Sequence, residues 1–456
     1  MIPRYQKEEI SQIWSEENKF QTYLKTELAL LKSLEQHKLI PQGIAKKIEA
    51  KANININRIN EIEQTTQHDI IAFCSSITEN LDSEIGKYFH FGVTSSDIID
   101  SSTMLQIKDS MILVLISLKK VLGTLVKKIQ ESKNIITMGR SHGMFAEPMS
   151  FAQKWLGFYA EFSRHLEDYE QAFNNDLTVQ FSGAVGNFTI LTPEIEKTAA
   201  AFLNMSVEPI STQVIPRDRI AKIINIGALI GCAIERLAVE IRHLHRSDVS
   251  ELHEGFKKGQ KGSSTMPHKK NPISCENLTG MARLLRSHTD IAMENIVLWH
   301  ERDISHSGAE RMYLPDHFGI LYYSLERLNS TLENLVLHVD VIEKKVKDEF
   351  TYLSSYFLHH LILNTNCKRD DLYTIVQAAA FKANENKSKE VFEQTLLEEL
   401  KKKNIKVELP KVDYDFIRNI YLKSFETISN RVFNRYVHPI ETKCITESQA
   451  VPKKYE

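Results

Sequence analysis

Apolar residues recur at three- and four-residue steps along most of the chain, and strict alternation is nowhere sustained. Between Glu8 and Gln36 this spacing puts Ile13, Trp14, Phe20, Leu24, Leu28 and Leu31 on one helical face. Past Pro41 and Gly43 it runs through Ile48, Ile54, Ile59 and Ile62. The polar Thr65–Asp69 then interrupts before Ile70–Phe73 resumes. From 107 to 129 the chain is apolar on nearly every side over Met111–Leu118, which requires neighbours all round. Phe151, Trp155, Phe158, Phe162, Leu166, Tyr169 and Phe173 form an unbroken stripe, and 220–252 and 312–342 repeat the pattern at similar length. A helix of ~30 residues is ~45 Å long, which suits an elongated bundle, and apolar surface on more than one side suggests packing between subunits. Shorter amphipathic patterns follow at 372–381 and 391–400, then a solvated stretch to Pro410, a last helix over 414–432 and a frayed tail. The expected architecture is all-α with three helical domains: 1–102, a central long-helix bundle over 103–363 that assembles as an oligomer, and 364–456.

Composition narrows the function classes. Over 456 residues the formal net charge is −2, so no general positive field recruits nucleic acid. The five cysteines (Cys74, Cys232, Cys275, Cys367 and Cys444) are scattered and odd in number, and no two have C-x-x-C spacing. That usage points to reduced thiols in a cytoplasmic protein rather than a disulfide framework or a zinc knuckle. The first residues mix acids and lysines without an apolar signal region, and the run Met111–Ile116 falls far short of the ~18 residues of a membrane span. Neither a membrane nor a nucleic acid is expected as a partner.

Candidate chemistry gathers at polar junctions between helical stretches. The 257–272 segment has Gly259 and Gly262 in front and Pro267 and Pro272 behind, so it reads as a loop. Its hydroxyls (Ser263, Ser264, Thr265), cations (Lys269, Lys270), His268 and Asn271 suit a lid over an anionic substrate; a solvated Gly/Lys connector is the alternative. Gln67-His68-Asp69 either caps a helix or reaches a ligand. Thr94, Ser95 and Ser96 follow Gly92, where hydroxyls and free amides either cap the next helix or hold a carboxylate or phosphate. Gly139–Pro148 is a bounded polar turn carrying His142. On the 299–311 segment, Arg302, Ser307 and Arg311 could grip a phosphate, or could pair with Glu301, Asp303 and Glu310. No dinucleotide fingerprint, P-loop or nucleophile elbow is present, and His243 and His245 lie two apart on a helix, facing different sides.

The run Gly262-Ser-Ser-Thr-Met-Pro-His-Lys-Lys-Asn-Pro272 resembles the signature of the fumarase/aspartase superfamily, lyases that release fumarate by elimination. Within it, several features resemble the adenylosuccinate lyase family, in its bacterial form. They are His142-Gly143 after Arg140, Met266-Pro-His-Lys269, the Trp299–Arg311 segment, Arg4-Tyr5, Gln67-His68-Asp69 and Ser211-Thr212-Gln213. The likeness spans roughly residues 1–373, with Ser141 where threonine is common. It implies a homotetramer with a shared helical core and active sites each built from three subunits, acting without cofactor or metal. The implied small-molecule partners are succinylated purine nucleotides and fumarate. It also implies roles: Ser263 as base, His142 as general acid, Glu276 as the carboxylate beside it, and Lys269 and Asn271 on the substrate carboxylate. His68 would position substrate, with Gln67 and Asp69 beside it. Thr94, Ser95, Gln213 and Ser264 would hold the succinyl arm, and Arg4, Tyr5, Arg302, Ser307 and Arg311 the phosphate and ribose.

Overall fold

The computed structural model describes residues 2–255, 265–266, 268–386 and 388–437. Its frame is five long helices, here rods I to V: Ser95–Ser132, Ala152–Asn175, Arg217–His245, Ile273–Glu294 and Ser305–Glu333. The aromatic stripe lies on rod II, where Phe151, Trp155, Phe162, Leu166 and Tyr169 are buried against Met111, Val114 and Leu118 of rod I and Ile223, Ile230 and Leu237 of rod III. Each such side chain contributes about 1.5–3 kcal/mol on burial, so this shared core is what holds the rods together.

Cross-rod contacts fix the direction of each rod. Asp100, early in rod I, bonds Arg217, the first residue of rod III. Thr124 bonds Asn329, so rods I and V also run side by side in the same sense. Thr279 near the start of rod IV accepts from Arg242 near the end of rod III, making those two antiparallel. Lys154 near the start of rod II donates to Glu240 near the end of rod III at 2.7 Å, so rods I, III and V begin at one end of the bundle and rods II and IV at the other.

A second core lies under the N-terminal helices, where Phe20, Phe73 and Phe89 meet Val179, Phe181 and Ile195. A third, around Phe357 and Phe392, takes in Ile136 and Met138. Rod I begins at Ser95, so residues 102 and 103, where a domain boundary was expected, lie inside one continuous helix.

Local signals redraw several expected elements. The 8–36 pattern is two helices, Glu8–Ile13 and Glu16–Gln36, because Ser15 caps the second through Asn18 N–H at 3.1 Å. The 312–342 pattern breaks after Glu333 and resumes at Val339–Asp348. The last helix expected over 414–432 is likewise two, Tyr414–Leu422 and Phe425–Arg435. The turn around His142 is the tip of a β-hairpin, Ile136–Ser141 paired with Met144–Ser150. His142 and Gly143 both have positive φ (54° and 78°), as a two-residue hairpin turn requires. The remaining described strands are two residues each, so the protein is helical in architecture. Among the described residues no helix is long and apolar enough to cross a membrane.

Candidate active site

The residues singled out from sequence fall at opposite ends of the bundle. At the end where rods I, III and V begin, His68 caps the Asp69–Thr78 helix, its Nδ1 accepting from Ile71 N–H at 3.5 Å, while its side chain remains 42% exposed. Gln67 closes the preceding helix with a left-handed backbone (φ 51°). Asp69 is nearly buried and accepts from Arg311 Nη2 at 2.6 Å, joining two residues 242 apart in sequence. His68, Thr94 and Ser95 line one cavity. A second, of about 280 Å³, is lined by Arg302, Ser307 and Arg311. Gln213 links to the second, its Oε1 accepting from Arg302 Nη1 at 2.9 Å.

Buried carboxylates hold this end rigid. Asp97, in the first turn of rod I, accepts N–H bonds from Thr94 (2.9 Å), Ser182 (3.1 Å) and Gly183 (3.1 Å). Burial raises its pKa to about 6, against the lowering effect of those amides. One layer below, Arg217 is clamped between Asp100 and Glu310, with Nη2–Oδ1 at 2.9 Å and Nε–Oε1 at 2.9 Å. Arg302 and Arg311 are thus bound to Gln213 and Asp69, and among the described residues neither pairs with Glu301, Asp303 or Glu310. The salt-bridge cluster that competed with a phosphate grip does not form. Arg302 Nε is shielded from solvent with no partner among the described residues, a donor left available to an anion.

At the other end, Lys269, Asn271 and Glu276 line a cavity of about 900 Å³ with His245, His253 and His338. Buried Glu254 anchors the start of rod IV beside it, accepting from Ser274 N–H (3.1 Å) and Cys275 N–H (2.8 Å) and satisfying two of the free amides that open the helix. Ser263 and Ser264 lie outside the described residues. The His142 hairpin belongs to this end too. Arg140 Nη1 donates to buried Glu251 at 3.3 Å, and Glu251 N–H bonds Leu244 O near the end of rod III. His142 itself is exposed at the tip, beside Met144 (71% exposed) and Phe145. Tyr5, expected with the phosphate residues, lies apart from them within one chain: its ring packs on Tyr323 at 5.3 Å, and Tyr323 Oη bonds Asn277, next to Glu276.

Rod III measures the separation, since Arg217 starts it and His245 ends it. Twenty-eight steps of 1.5 Å put the two clusters about 42 Å apart in one chain. No small molecule spans that distance.

Sequence reasoning missed several lining residues. Lys19 faces the Arg302–Arg311 cavity, and its one sequence signal is its place beside buried Phe20. His90 shares the His68 cavity and was passed over as part of a turn. His253 and His338, 85 residues apart, meet at 2.7 Å, a pairing no local pattern contains.

Comparison with known proteins supplies the rest. Residues 4–285 match a family model described as Lyase. The chain is 39% identical to adenylosuccinate lyase of Thermotoga maritima, covering 94% of this chain and 99% of that one. It is 40% identical to the enzyme of the same name from Helicobacter pylori (95% and 100%), and 38% identical to that of Bacillus subtilis (95% and 99%). Among solved structures it resembles a fumarate lyase from Mesorhizobium sp. BNC1, with TM-score 0.83 and 22% identity over 95% of this chain and 99% of that one. A 3-carboxy-cis,cis-muconate lactonizing enzyme from Pseudomonas putida gives TM-score 0.84 at 20% identity, over 95% and 97%. At such identities the structural likeness establishes the fold.

Proposed function

The chain belongs to the adenylosuccinate lyase family, within the fumarase/aspartase superfamily, and on that premise we propose that it eliminates fumarate from adenylosuccinate, giving AMP. The same chemistry would release fumarate from succinyl-aminoimidazole-carboxamide ribotide, giving the carboxamide ribotide, so the enzyme serves purine nucleotide synthesis in the cytoplasm. The observation that carries the reading is the intact 262–272 signature in a chain matching these lyases over nearly its whole length.

In this mechanism a proton leaves the carbon next to a succinyl carboxylate, and negative charge spreads onto that carboxylate as its carbon–nitrogen bond prepares to break. Lys269 and Asn271 stabilise that charge; one well-placed donor is worth ~3 kcal/mol. Ser263 takes the proton, a task for which a hydroxyl needs nearby cations and amides. His142 returns a proton to the departing nitrogen, with Glu276 beside it, and its exposed hairpin tip is accessible to a neighbouring subunit. Thr94, Ser95, Gln213 and Ser264 hold the succinyl arm, with Gln67, His68 and Asp69 orienting substrate. Arg302, Ser307 and Arg311 grip the phosphate, with Arg4 and Tyr5 supplied by a different subunit.

The separation of about 42 Å supports a homotetramer in which each site takes one bundle end from one subunit and the opposite end from others. An assay of fumarate release on adenylosuccinate, argininosuccinate and malate tests the function. Turnover confined to the succinylated nucleotides is expected, and Ser263→Ala should bind substrate yet lose several orders of magnitude in kcat. Activity on malate or argininosuccinate alone, or near-normal turnover in Ser263→Ala, would overturn it.

A further inference from the structure

Beneath the cavity lined by His68, Thr94 and Ser95, side chains from three separate elements converge. Glu27 comes from the Glu16–Gln36 helix, Cys74 from the Asp69–Thr78 helix and His90 from the turn preceding rod I. A carboxylate oxygen, the thiol sulfur and an imidazole nitrogen all lie within 4.8 Å of one another. Glu27 is fully buried, and among the described residues no lysine or arginine pairs with it. Among the described residues its hydrogen bonds are to His90, Oε1 at 2.6 Å from Nδ1 and Oε2 accepting the His90 backbone N–H at 3.2 Å. A buried carboxylate needs a positive partner, a role that the imidazolium form of His90 fills in the ion-free chain and that a bound cation would take over.

We propose that Glu27, Cys74 and His90 form a binding site for a thiophilic divalent cation, zinc being the ion of best fit, with the fourth coordination position open to the cavity. Thiolate, imidazole and carboxylate are the three ligand types zinc takes, and a site with three protein ligands keeps one position for water or another donor. The charges balance, because thiolate and carboxylate together neutralise the dication in a setting where net charge is expensive. The geometry is close to what is needed. Two ligands about 2.1 Å from a tetrahedral ion lie about 3.4 Å apart, so Glu27 and His90 need separate by only ~0.8 Å. Binding displaces the thiol proton and the proton shared between Glu27 and His90 to solvent. An entry path exists, since Cys74 and His90 both line the cavity, whose volume is about 870 Å³. The seat adjoins the proposed substrate site, since an ion there would share its cavity with His68, Thr94 and Ser95.

The test uses the full chain, reduced and stripped with a chelator, then titrated with cobalt(II) as a spectroscopic stand-in for zinc. One cobalt per chain is expected, with a near-ultraviolet thiolate-to-cobalt band that zinc abolishes. Cys74→Ser should remove that band and Cys232→Ser should retain it. No band in the unaltered protein, or a band that survives Cys74→Ser, overturns the proposal. A second measurement needs no variant: zinc should slow alkylation of Cys74, mapped by mass spectrometry, about tenfold at ion concentrations ten times Kd. Cys232 and Cys367 should react as before, and a Cys74 rate unchanged by zinc also overturns it. Neither readout involves fumarate release, so failure here is distinct from failure of the proposed activity.

Discussion

The two ends of the bundle carry different kinds of machinery. Where rods I, III and V begin, the cationic residues are already engaged: Arg311 on Asp69, Arg302 on Gln213, Arg217 between Asp100 and Glu310. That end is a preorganised cradle, its donors aimed by buried carboxylates. At the opposite end Lys269, Asn271 and Glu276 border a wide histidine-lined cavity, and His142 projects from an exposed hairpin. Groups that would hold a nucleotide are set in place by their own chain, whereas those that would move protons are offered outward. In the shared-site assembly proposed above, each subunit would present a binding end to one neighbour and a chemical end to another.

Mixing variants from the two ends gives the largest contrast. His68→Ala and His142→Ala proteins should each be nearly inactive, yet after subunit exchange an equal mixture should recover about a quarter of normal activity, because some sites draw both intact residues. Activity that stays at the parental level, once mass spectrometry confirms hybrid assemblies, would mean that each site is built within one chain.

Removing the cation beneath the cradle comes next. Arg217→Met leaves Asp100 and Glu310 buried without their counter-charge, and urea unfolding should show a loss of about 3–5 kcal/mol. A loss below about 1 kcal/mol would show that this network does not brace the cradle.

Kinetic constants should then divide by end. Lys269→Met is expected to lower kcat by about 10²–10³-fold with little change in KM. Arg302→Met is expected to raise KM about tenfold while largely sparing kcat. The opposite division would reverse the roles assigned to the two ends.

The smallest effect is a pH slope. Burial raises the pKa of Glu196, whose carboxylate accepts Phe181 N–H beside Asp97, to about 7 from an ordinary 4.5. The folded state therefore holds this proton more tightly than the unfolded chain does. Stability falls as pH rises from 4.5 through about 7 and levels off above. Glu196→Gln should flatten that fall by about 1–2 kcal/mol in urea titrations at stepped pH. An unchanged slope would place the proton elsewhere.

What was legible in the sequence follows from the range of the signal. The stripe from Phe151 to Phe173 announced rod II, because helical spacing is a local code and the core enforces it. Cap residues were legible for the same reason: His68 and Thr94 stand where helices begin. The hairpin was not, since Gly139 and Pro148 marked its turn while its short strands offered too few alternating positions to register. Arg4 and Tyr5 were grouped with the phosphate residues, and the chain instead packs Tyr5 on Tyr323, toward the chemical end. Nothing local to an N-terminal dipeptide records which end of a rod it will reach.

By itself, the order of residues determined that the protein is built from long helices, where most of them begin, and which family's chemistry it carries. Those properties depend on near neighbours in the chain: turn-to-turn spacing, caps and one contiguous loop signature. Only the folded bundle decided which functional groups share an end and which stand about 42 Å apart. That outcome depends on the directions of five rods set by contacts such as Asp100–Arg217 and Thr124–Asn329, between residues more than a hundred positions apart.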